Sequence, residues 1–361
     1  MAYLNVEEIE AALNALAASY PGAAELVPLP NRTSEGRQSH ALRVGPADER
    51  AGNAAVVTGG LHAREWVPPD ALVNLAADLL EAHARGTGLR YGGQRFSADE
   101  IRSVVEQLQL VLFPCVNPDG RHHSQTAEPM WRKNRRRVRP DLGLRCVGVD
   151  INRNFDALWD FRRHFAPDSG VSASDDPCHP QVYVGPAAES EAETRNVVWL
   201  LDRFPGTRWF IDVHSYVPAI FYTWGFDENQ SSDPSMSFRN PLLDGRRGRA
   251  DNVYREYLPG EDAEALRELG AAMNEAIAAA GEAAYELGQS FSLYPTSGTS
   301  DDYAYCRHFV DGAKGKILGF TVECGQSFQP PWREAEDIIR EVSAGLIAFC
   351  LGTIRATGPS V

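Results

Sequence analysis

The chain has 361 residues, of which 43% are apolar and 23% are charged. These proportions are ordinary for a globular protein, and they exclude collagen-like, disulfide-scaffold and wholly disordered chains. Lys and Arg number 35 against 49 Asp and Glu, so the net charge is −14. This charge disfavours nucleic acid and anionic membranes as main partners.

The N-terminal stretch does not resemble a signal peptide, because Glu7, Glu8 and Glu10 stand where a basic opening is usual. No apolar run reaches the ~20 residues that a membrane-spanning helix needs. We therefore expect the protein, as written, to be cytoplasmic and not bound to a membrane. The alternative is the mature part of a longer secreted chain, since the cysteines would tolerate that setting.

Apolar spacing predicts helices and strands that alternate along the chain. In order, they are a helix at about 6–18, strands at 40–44 and 53–58, a helix opened by Pro68 and Pro69, a strand at 107–116, a helix capped by Ser190 and Glu193, a strand at 208–213, a helix at about 262–286, a strand at 316–322 and a helix at about 333–351. Such alternation indicates one α/β domain, 1–361, with a mostly parallel or mixed sheet between helices. The long polar stretch 227–262 is interpreted as an insertion or mobile lid.

Two predicted strands end at residues that bind zinc well. His62 and Glu65 follow the strand at 53–58, and His214 follows the strand at 208–213. Ligands bind outside the carboxyl ends of strands in open α/β sheets, and catalytic zinc sites typically use three protein ligands. Each residue alone also fits a surface turn or a core histidine. The adjacent His122 and His123 form a rival pair, which a solvated turn explains better.

Further candidates are a strand-end carboxylate and a group of arginines. Glu323 ends an apolar strand, where it fits either a general base or an exposed strand end. Arg153 beside Asn152 suits the binding of a carboxylate, because a guanidinium binds it through two hydrogen bonds. The basic run at 131–137 matches a nucleic-acid patch, but the net charge favours a solvated face.

Taken together, seven short motifs resemble the zinc metallocarboxypeptidase family, whose best-known members are the pancreatic carboxypeptidases A and B. They are HAREW at 62–66, NPDG at 117–120, WRK at 131–133, GVDINRNFD at 148–156, YVGP at 183–186, HSY at 214–216 and FTVE at 320–323. The resemblance covers about residues 4–351. It implies a mixed, mostly parallel eight-stranded sheet with helices on both faces. It also implies one zinc ion per chain and peptide or protein C-termini as substrate.

The resemblance assigns a role to each matching position. The zinc ligands of the family match His62, Glu65 and His214, and the carboxylate that orients the first histidine matches Asp150. The general base and later proton donor matches Glu323, and the group that stabilises the oxyanion matches Arg132. The substrate contacts match Asn152 and Arg153, which clamp the terminal carboxylate, Arg64 at an outer subsite, and Tyr294, the mobile tyrosine that closes over substrate. Asp301 falls where a member specific for basic residues has an aspartate at the base of its side-chain pocket. The resulting hypothesis is a preference for C-terminal Lys or Arg.

Several departures from the family pattern stand beside these matches. Thr299 occupies a position where glycine is usual, so the pocket is expected to be narrower. The stretch 227–262 lengthens the segment between His214 and Tyr294, where it could cap the cleft. Cys146 and Cys178 flank the 148–156 motif much as one family disulfide does, so we predict that they are close in space.

Three other functions remain open from the sequence. A zinc amidohydrolase of the same fold, acting on murein peptides or N-acyl amino acids, would keep the zinc ligands but alter the clamp. A catalytically inactive binding protein would usually lose Glu323 or a ligand. A nucleic-acid module built on the basic run would show salt-dependent DNA binding.

Overall fold

The computed structural model describes residues 3–47, 52–139, 141, 146–251, 253–281 and 283–357. The strands in this part of the chain are β1 (Ala24–Pro28), β2 (His40–Val44), β3 (Ala54–Gly59), β4 (Leu89–Tyr91), β5 (Gln94–Phe96), β6 (Gln109–Phe113), β7 (Thr207–His214), β8 (Ala219–Tyr222), β9 (Asn229–Gln230), β10 (Glu256–Tyr257), β11 (Glu286–Gln289) and β12 (Leu318–Glu323). The helices are α1 (Val6–Ser19), α2 (Val67–Arg85), α3 (Ala98–Gln107), α4 (Pro118–Thr126), α5 (Phe161–His164), α6 (Ala192–Arg203), α7 (Gly260–Ala280), α8 (Ser300–Val310) and α9 (Trp332–Thr357).

Eight of these strands form one central sheet in the order β1-β2-β6-β3-β7-β12-β8-β11. The four central strands, β6, β3, β7 and β12, run parallel to one another. At the edges, β2 and β8 run antiparallel to their central neighbours. The predicted mixed, mostly parallel eight-stranded sheet is therefore confirmed.

Helices cover the sheet on both sides. Successive residues of a strand point to opposite faces, and all six residues of β3 are buried, so both faces of β3 are covered. Helices α2, α3, α7 and α9 pack against one another, while α6 and α8 pack against the central strands. The carboxyl ends of the central strands remain free to hold a site.

Several predicted bounds are wrong. The strand predicted at 107–116 is shorter, Gln109–Phe113, and the last helix continues to Thr357. Two further differences have a clear physical cause. Helix α6 begins at Ala192 after Glu191, without a side-chain cap, because the Glu193 side chain accepts a hydrogen bond from Asn134 Nδ2 (3.1 Å) instead. Ser190 Oγ donates to the side chain of Glu191. Helix α7 stops at Ala280 rather than near 286, because residues 286–289 pair with β8 as strand β11.

The polar stretch 227–262 is folded rather than extended over the surface. Strands β9 and β10 pair within it, and the fully buried Arg247 lies 2.8 Å from Asp244 Oδ1. Phe238 packs against Trp224 at a ring-centroid distance of 5.3 Å. Buried aromatic and ionic contacts therefore anchor this insertion to the rest of the domain.

A disulfide joins Cys146 to Cys178, which confirms their predicted proximity. It holds the segment that leads into residues 148–156. Within the described ranges, no helix is both long enough and apolar enough to cross a bilayer.

Replacing both Cys146 and Cys178 with serine should lower the free energy of unfolding by about 2–4 kcal/mol, because the bond closes a loop with a sequence separation of 32 residues. Urea unfolding of the oxidised protein and the double variant measures this difference. A reductant should destabilise the wild type by a similar amount and leave the double variant unchanged. Equal stability of the oxidised wild type and the variant would contradict a stabilising role.

Candidate active site

The site lies where three neighbouring parallel strands end. Strand β7 pairs with β3 on one side, and on the other side His214 at its end pairs with Glu323 of β12. The turn after β3 carries His62 and Glu65. Gly60 in this turn has φ +68°, and a Cβ there would approach Pro69 Cγ within 2.9 Å, so the turn requires glycine.

The three predicted metal ligands converge. His62 Nδ1 lies 2.7 Å from Glu65 Oε1, His214 Nδ1 lies 2.9 Å from Glu65 Oε2, and the two Nδ1 atoms are 3.1 Å apart. All three side chains are buried, with at most 4% of each residue exposed. Ligands on one zinc ion, each at about 2.0–2.2 Å, lie at comparable separations from one another.

The surroundings of the two imidazoles explain why a cation fits. His62 Nε2 faces Asp150 Oδ1 at 3.2 Å, and His214 Nε2 lies 2.8 Å from Asp212 Oδ2. A carboxylate beside Nε2 favours the proton on that nitrogen, so both Nδ1 atoms present lone pairs to the Glu65 carboxylate. Three electron-pair donors that meet in a buried space repel one another unless a cation lies between them, and His₂Glu is an established zinc donor set.

Electrostatics at the ligands agree with this donor set. Burial alone would raise the pKa of Glu65, but positive charge at the flanking His62 and His214 outweighs burial and holds that pKa well below its usual range. A bound cation would supply this charge when both imidazoles are neutral. Glu65 is therefore ionised and available as a ligand.

Arg132 and Asp150 form a buried ion pair beside the ligands. Arg132 Nε and Nη2 lie 3.0 and 2.9 Å from Asp150 Oδ2, while the other Asp150 oxygen faces His62. Burial opposes ionisation of Asp150, yet Arg132 and His62 keep its pKa far below the usual range. Asp150 thus contacts both the predicted metal ligand His62 and the predicted oxyanion-stabilising Arg132, and Arg132 lines an open cavity beside them.

The side chain of Glu323 lines the same cavity and forms no ion pair within the described residues. Its Oε2 is buried and accepts no hydrogen bond from the residues that the structure describes. Burial raises the pKa of its carboxyl to about 7, and the nearby carboxylates of Glu65 and Asp212 add to the rise. A carboxyl with such a pKa can both take and return a proton near neutral pH.

The predicted carboxylate clamp lies next to the ligands. Asn152 Oδ1 accepts a hydrogen bond from the backbone of Ser300 at 2.9 Å, which fixes the amide. The guanidinium of Arg153 lies 6.0 Å from the ring centroid of Tyr294, and that ring is 39% exposed. Arg64 stacks over Phe328 at 4.1 Å and donates to Gln181 Oε1 at 2.9 Å.

One open cavity, whose volume of about 880 Å³ includes solvent at its mouth, is lined by most of these groups. Of the residues predicted for the site, those that line it are His62, Glu65, Arg64, Arg132, Asn152, Arg153, Tyr294, Asp301 and Glu323. His214 and Asp150 do not line the cavity. Its walls are completed by ten residues that, apart from Thr299, were given no role from the sequence: Ser215, Tyr216, Val217, Phe221, Ser290, Leu293, Thr296, Thr299, Thr321 and Phe328. No described residue of the insertion 227–262 is part of this lining.

Asp301 forms a buried anionic position in the wall. It is 3% exposed, and its Oδ2 accepts a hydrogen bond from Ser290 Oγ at 3.0 Å. Within the residues that the structure describes, no Lys, Arg or His forms an ion pair with it. The neighbouring Asp302 is turned away and accepts hydrogen bonds from the Gly225 backbone at 3.0 Å.

Sequence reasoning missed Asp212, the carboxylate that contacts His214. It lies two residues before His214 on β7, so both side chains point to the same face of the sheet. That spacing was the available signal.

Comparison with known proteins agrees with this geometry. The family model described as zinc carboxypeptidase matches residues 9–345. The chain belongs to the zinc carboxypeptidase family. The zinc dependence of this family agrees with the donor set of His62, Glu65 and His214.

Individual relatives are distant. Carboxypeptidase B from Astacus astacus is 30% identical over 325 residues, 89% of this chain and 86% of that protein. Carboxypeptidase A4 from Mus musculus is 26% identical over 305 residues, 84% of this chain but only 60% of that protein. Bovine thrombin-activatable fibrinolysis inhibitor, solved in complex with tick carboxypeptidase inhibitor, superposes with a TM-score of 0.73 at 21% identity and 98% coverage of both chains, which shows a shared fold.

Replacing His62 with alanine should reduce bound zinc from about one ion per chain to less than a tenth, because two donors seldom hold zinc against dialysis. Metal analysis by mass spectrometry after dialysis checks this result. The double replacement of His122 and His123, the rival pair on α4, should keep the full zinc content. Zinc loss from that control with retention in the His62 variant would refute the assignment.

Proposed function

We propose that the protein is a zinc-dependent exopeptidase that hydrolyses the C-terminal peptide bond of peptides or proteins, with a preference for C-terminal Lys or Arg. One observation supports it most. Two of the three metal donors, His62 and Glu65, line the same cavity as the Glu323 carboxylate, whose Oε2 accepts no hydrogen bond from the described residues, and the buried clamp of Asn152 and Arg153.

The clamp accounts for cleavage at a chain end. Arg153 is 2% exposed, and together with the amide of Asn152 it offers donors that match a free carboxylate. An internal peptide bond has no such carboxylate, so only a C-terminal residue satisfies these groups. Binding there would place the last peptide bond near the metal ligands. The same clamp favours a carboxypeptidase over an amidohydrolase of this fold.

Residues of the chain would then transfer the proton and stabilise the negative charge that develops during hydrolysis. When bound by His62, Glu65 and His214, zinc supplies a Lewis acid that lowers the pKa of water and polarises a carbonyl oxygen. Glu323 accepts the proton of the attacking water and passes it to the leaving amine. Arg132, held by Asp150, stabilises the negative charge that develops on the carbonyl oxygen.

The basic-residue preference rests on Asp301. A Lys or Arg side chain that enters the cavity would pair with this buried carboxylate. An apolar side chain would leave the charge without an ionic partner in a desolvated pocket, which is costly. Ser290 already fixes the orientation of the carboxylate.

The disulfide provides evidence about the compartment in which the protein is located. Disulfides persist in oxidising compartments and are rare in the cytosol. The Cys146–Cys178 bond therefore supports the secreted alternative over the cytoplasmic one.

The Glu323→Gln variant should keep its zinc but lose at least about 1000-fold in kcat, because glutamine cannot accept the proton. Hydrolysis of a blocked dipeptide ending in arginine, with zinc content measured in parallel, tests this expectation. Glu286→Gln, an exposed change of the same kind, should leave kcat unchanged. Full activity in the Glu323 variant would exclude Glu323 as the base.

A panel of blocked dipeptides ending in Arg, Lys, Phe, Leu or Glu tests both the reaction and its specificity. All cleavage should stop with a chelator, and kcat/KM should be highest for Arg and Lys. Asp301→Asn should lower kcat/KM for Arg by on the order of 100-fold, because it removes one buried ion pair, and should spare Phe.

Glu268→Gln serves as the control for the overall negative field, since it removes one exposed charge. It should not change the ratio of Arg to Phe cleavage. Faster cleavage of Phe than of Arg by the wild type would refute the preference while leaving the exopeptidase activity intact.

A further inference from the structure

Asp212 is a buried carboxylate whose surroundings fix it completely. It is 0% exposed. Its Oδ1 accepts a hydrogen bond from Thr58 Oγ1 at 2.8 Å, and its Oδ2 accepts one from Ser300 Oγ at 2.6 Å. The same Oδ2 lies 2.8 Å from His214 Nε2. Groups from β3, β7 and α8 therefore hold this carboxylate in one orientation.

We propose that Asp212 is the positioning residue for the metal ligand His214, acting as Asp150 does for His62. This inference rests on the proposed metal centre. As an acceptor at Nε2, Asp212 keeps the proton on that nitrogen and leaves the Nδ1 lone pair directed at Glu65 and the metal position. It also fixes the rotation of the ring.

The contact of Asn152 with the same nitrogen supports this assignment. Asn152 Nδ2 lies 3.3 Å from His214 Nε2, but an amide N–H is a donor and cannot accept the imidazole proton. The Asn152 carbonyl oxygen already accepts the backbone N–H of Ser300. Asp212 is therefore the acceptor among these two neighbours, and it is also the nearer one.

Ser300 extends the influence of Asp212 beyond the metal. Its hydroxyl holds Asp212, its backbone N–H holds Asn152 of the clamp, and the next residue in the chain is Asp301. A change at Asp212 should therefore disturb His214 first and the clamp second. A change at Ser300 should act on His214 only through the loss of one of the hydrogen bonds that hold Asp212.

The Asp212→Asn variant tests the proposal, since it keeps the size of the side chain but removes its charge. Transfer of zinc from the purified holoprotein to a chromogenic chelator should be about 10–100-fold faster than in the wild type. Ser300→Ala should show a smaller acceleration in the same direction. In proton NMR spectra of the zinc-loaded protein, the slowly exchanging His214 Nε2–H signal should disappear or move strongly in the Asp212 variant.

The matched control is Asp70→Asn, which removes an equally buried carboxylate that is paired with Arg121 on the α2 side of the domain. It should lower stability without changing zinc transfer. If Asp212→Asn does not fold, Ser300→Ala and Thr58→Val provide the comparison, and each should accelerate zinc transfer.

The possible failures are distinguishable. A wild-type protein that binds no zinc would overturn the proposed metal centre itself. A wild type that holds zinc, with Asp212→Asn releasing it at the wild-type rate and keeping the imidazole signal, would overturn only the role of Asp212. If Asp212→Asn fails to fold, unchanged zinc transfer in both Ser300→Ala and Thr58→Val would also overturn the role of Asp212.

Discussion

The pairing of β7 with its two neighbours sets the relative positions of His214, Asp212 and Glu323 at the candidate metal site. On one side Thr58 lies opposite Asp212, and on the other Glu323 lies opposite His214. Residues alternate between faces along a strand, so a slip of one residue would turn His214 and Asp212 to the wrong side of the sheet. Buried apolar neighbours such as Ile211 and Val213 oppose such a slip, because they would exchange faces as well.

This register helps to concentrate negative charge at the buried end of the cavity. Four buried or nearly buried carboxyl groups, from Glu65, Asp150, Asp212 and Glu323, meet around two histidines. Arg132 compensates one of them directly. Buried charges are costly unless they are paired, so a bound cation would stabilise this arrangement as well as provide chemistry. The same constraint explains why Glu323, farthest from a fixed partner, has a raised pKa.

Much of the fold and the site could be predicted from the sequence. Central strands such as β3 and β12 are nearly continuous apolar runs, and such runs are visible in a single sequence. The candidate ligands stand out because they follow those runs at strand ends, and the resemblance supplied the roles predicted for Arg132, Asn152 and Arg153. These positions depend on local sequence and on one simple rule of sheet topology.

The predictions that failed depend on contacts between distant residues. The sequence around Ser190 and Glu193 satisfies the capping pattern, yet Asn134, distant in the chain, binds the glutamate instead. The end of α7 was misplaced because Gly281 ends the helix in an extended conformation and residues 286–289 then pair with β8 as strand β11. Asp212 was overlooked because its hydrogen bonds with Thr58 and Ser300 join distant parts of the chain and are not visible in the sequence.

The insertion illustrates how such distant contacts can serve the site without entering it. Phe238 packs against Phe309 of α8 with ring centroids 5.9 Å apart, and Trp224 stacks on Phe226 at 5.1 Å. Between them, the Gly225 backbone donates to Asp302, the neighbour of Asp301. The described part of the insertion thus packs against α8, the helix whose first turn carries Ser300 and Asp301. Its packing constrains the position of the cavity wall at Asp301, although none of its described residues lines the cavity.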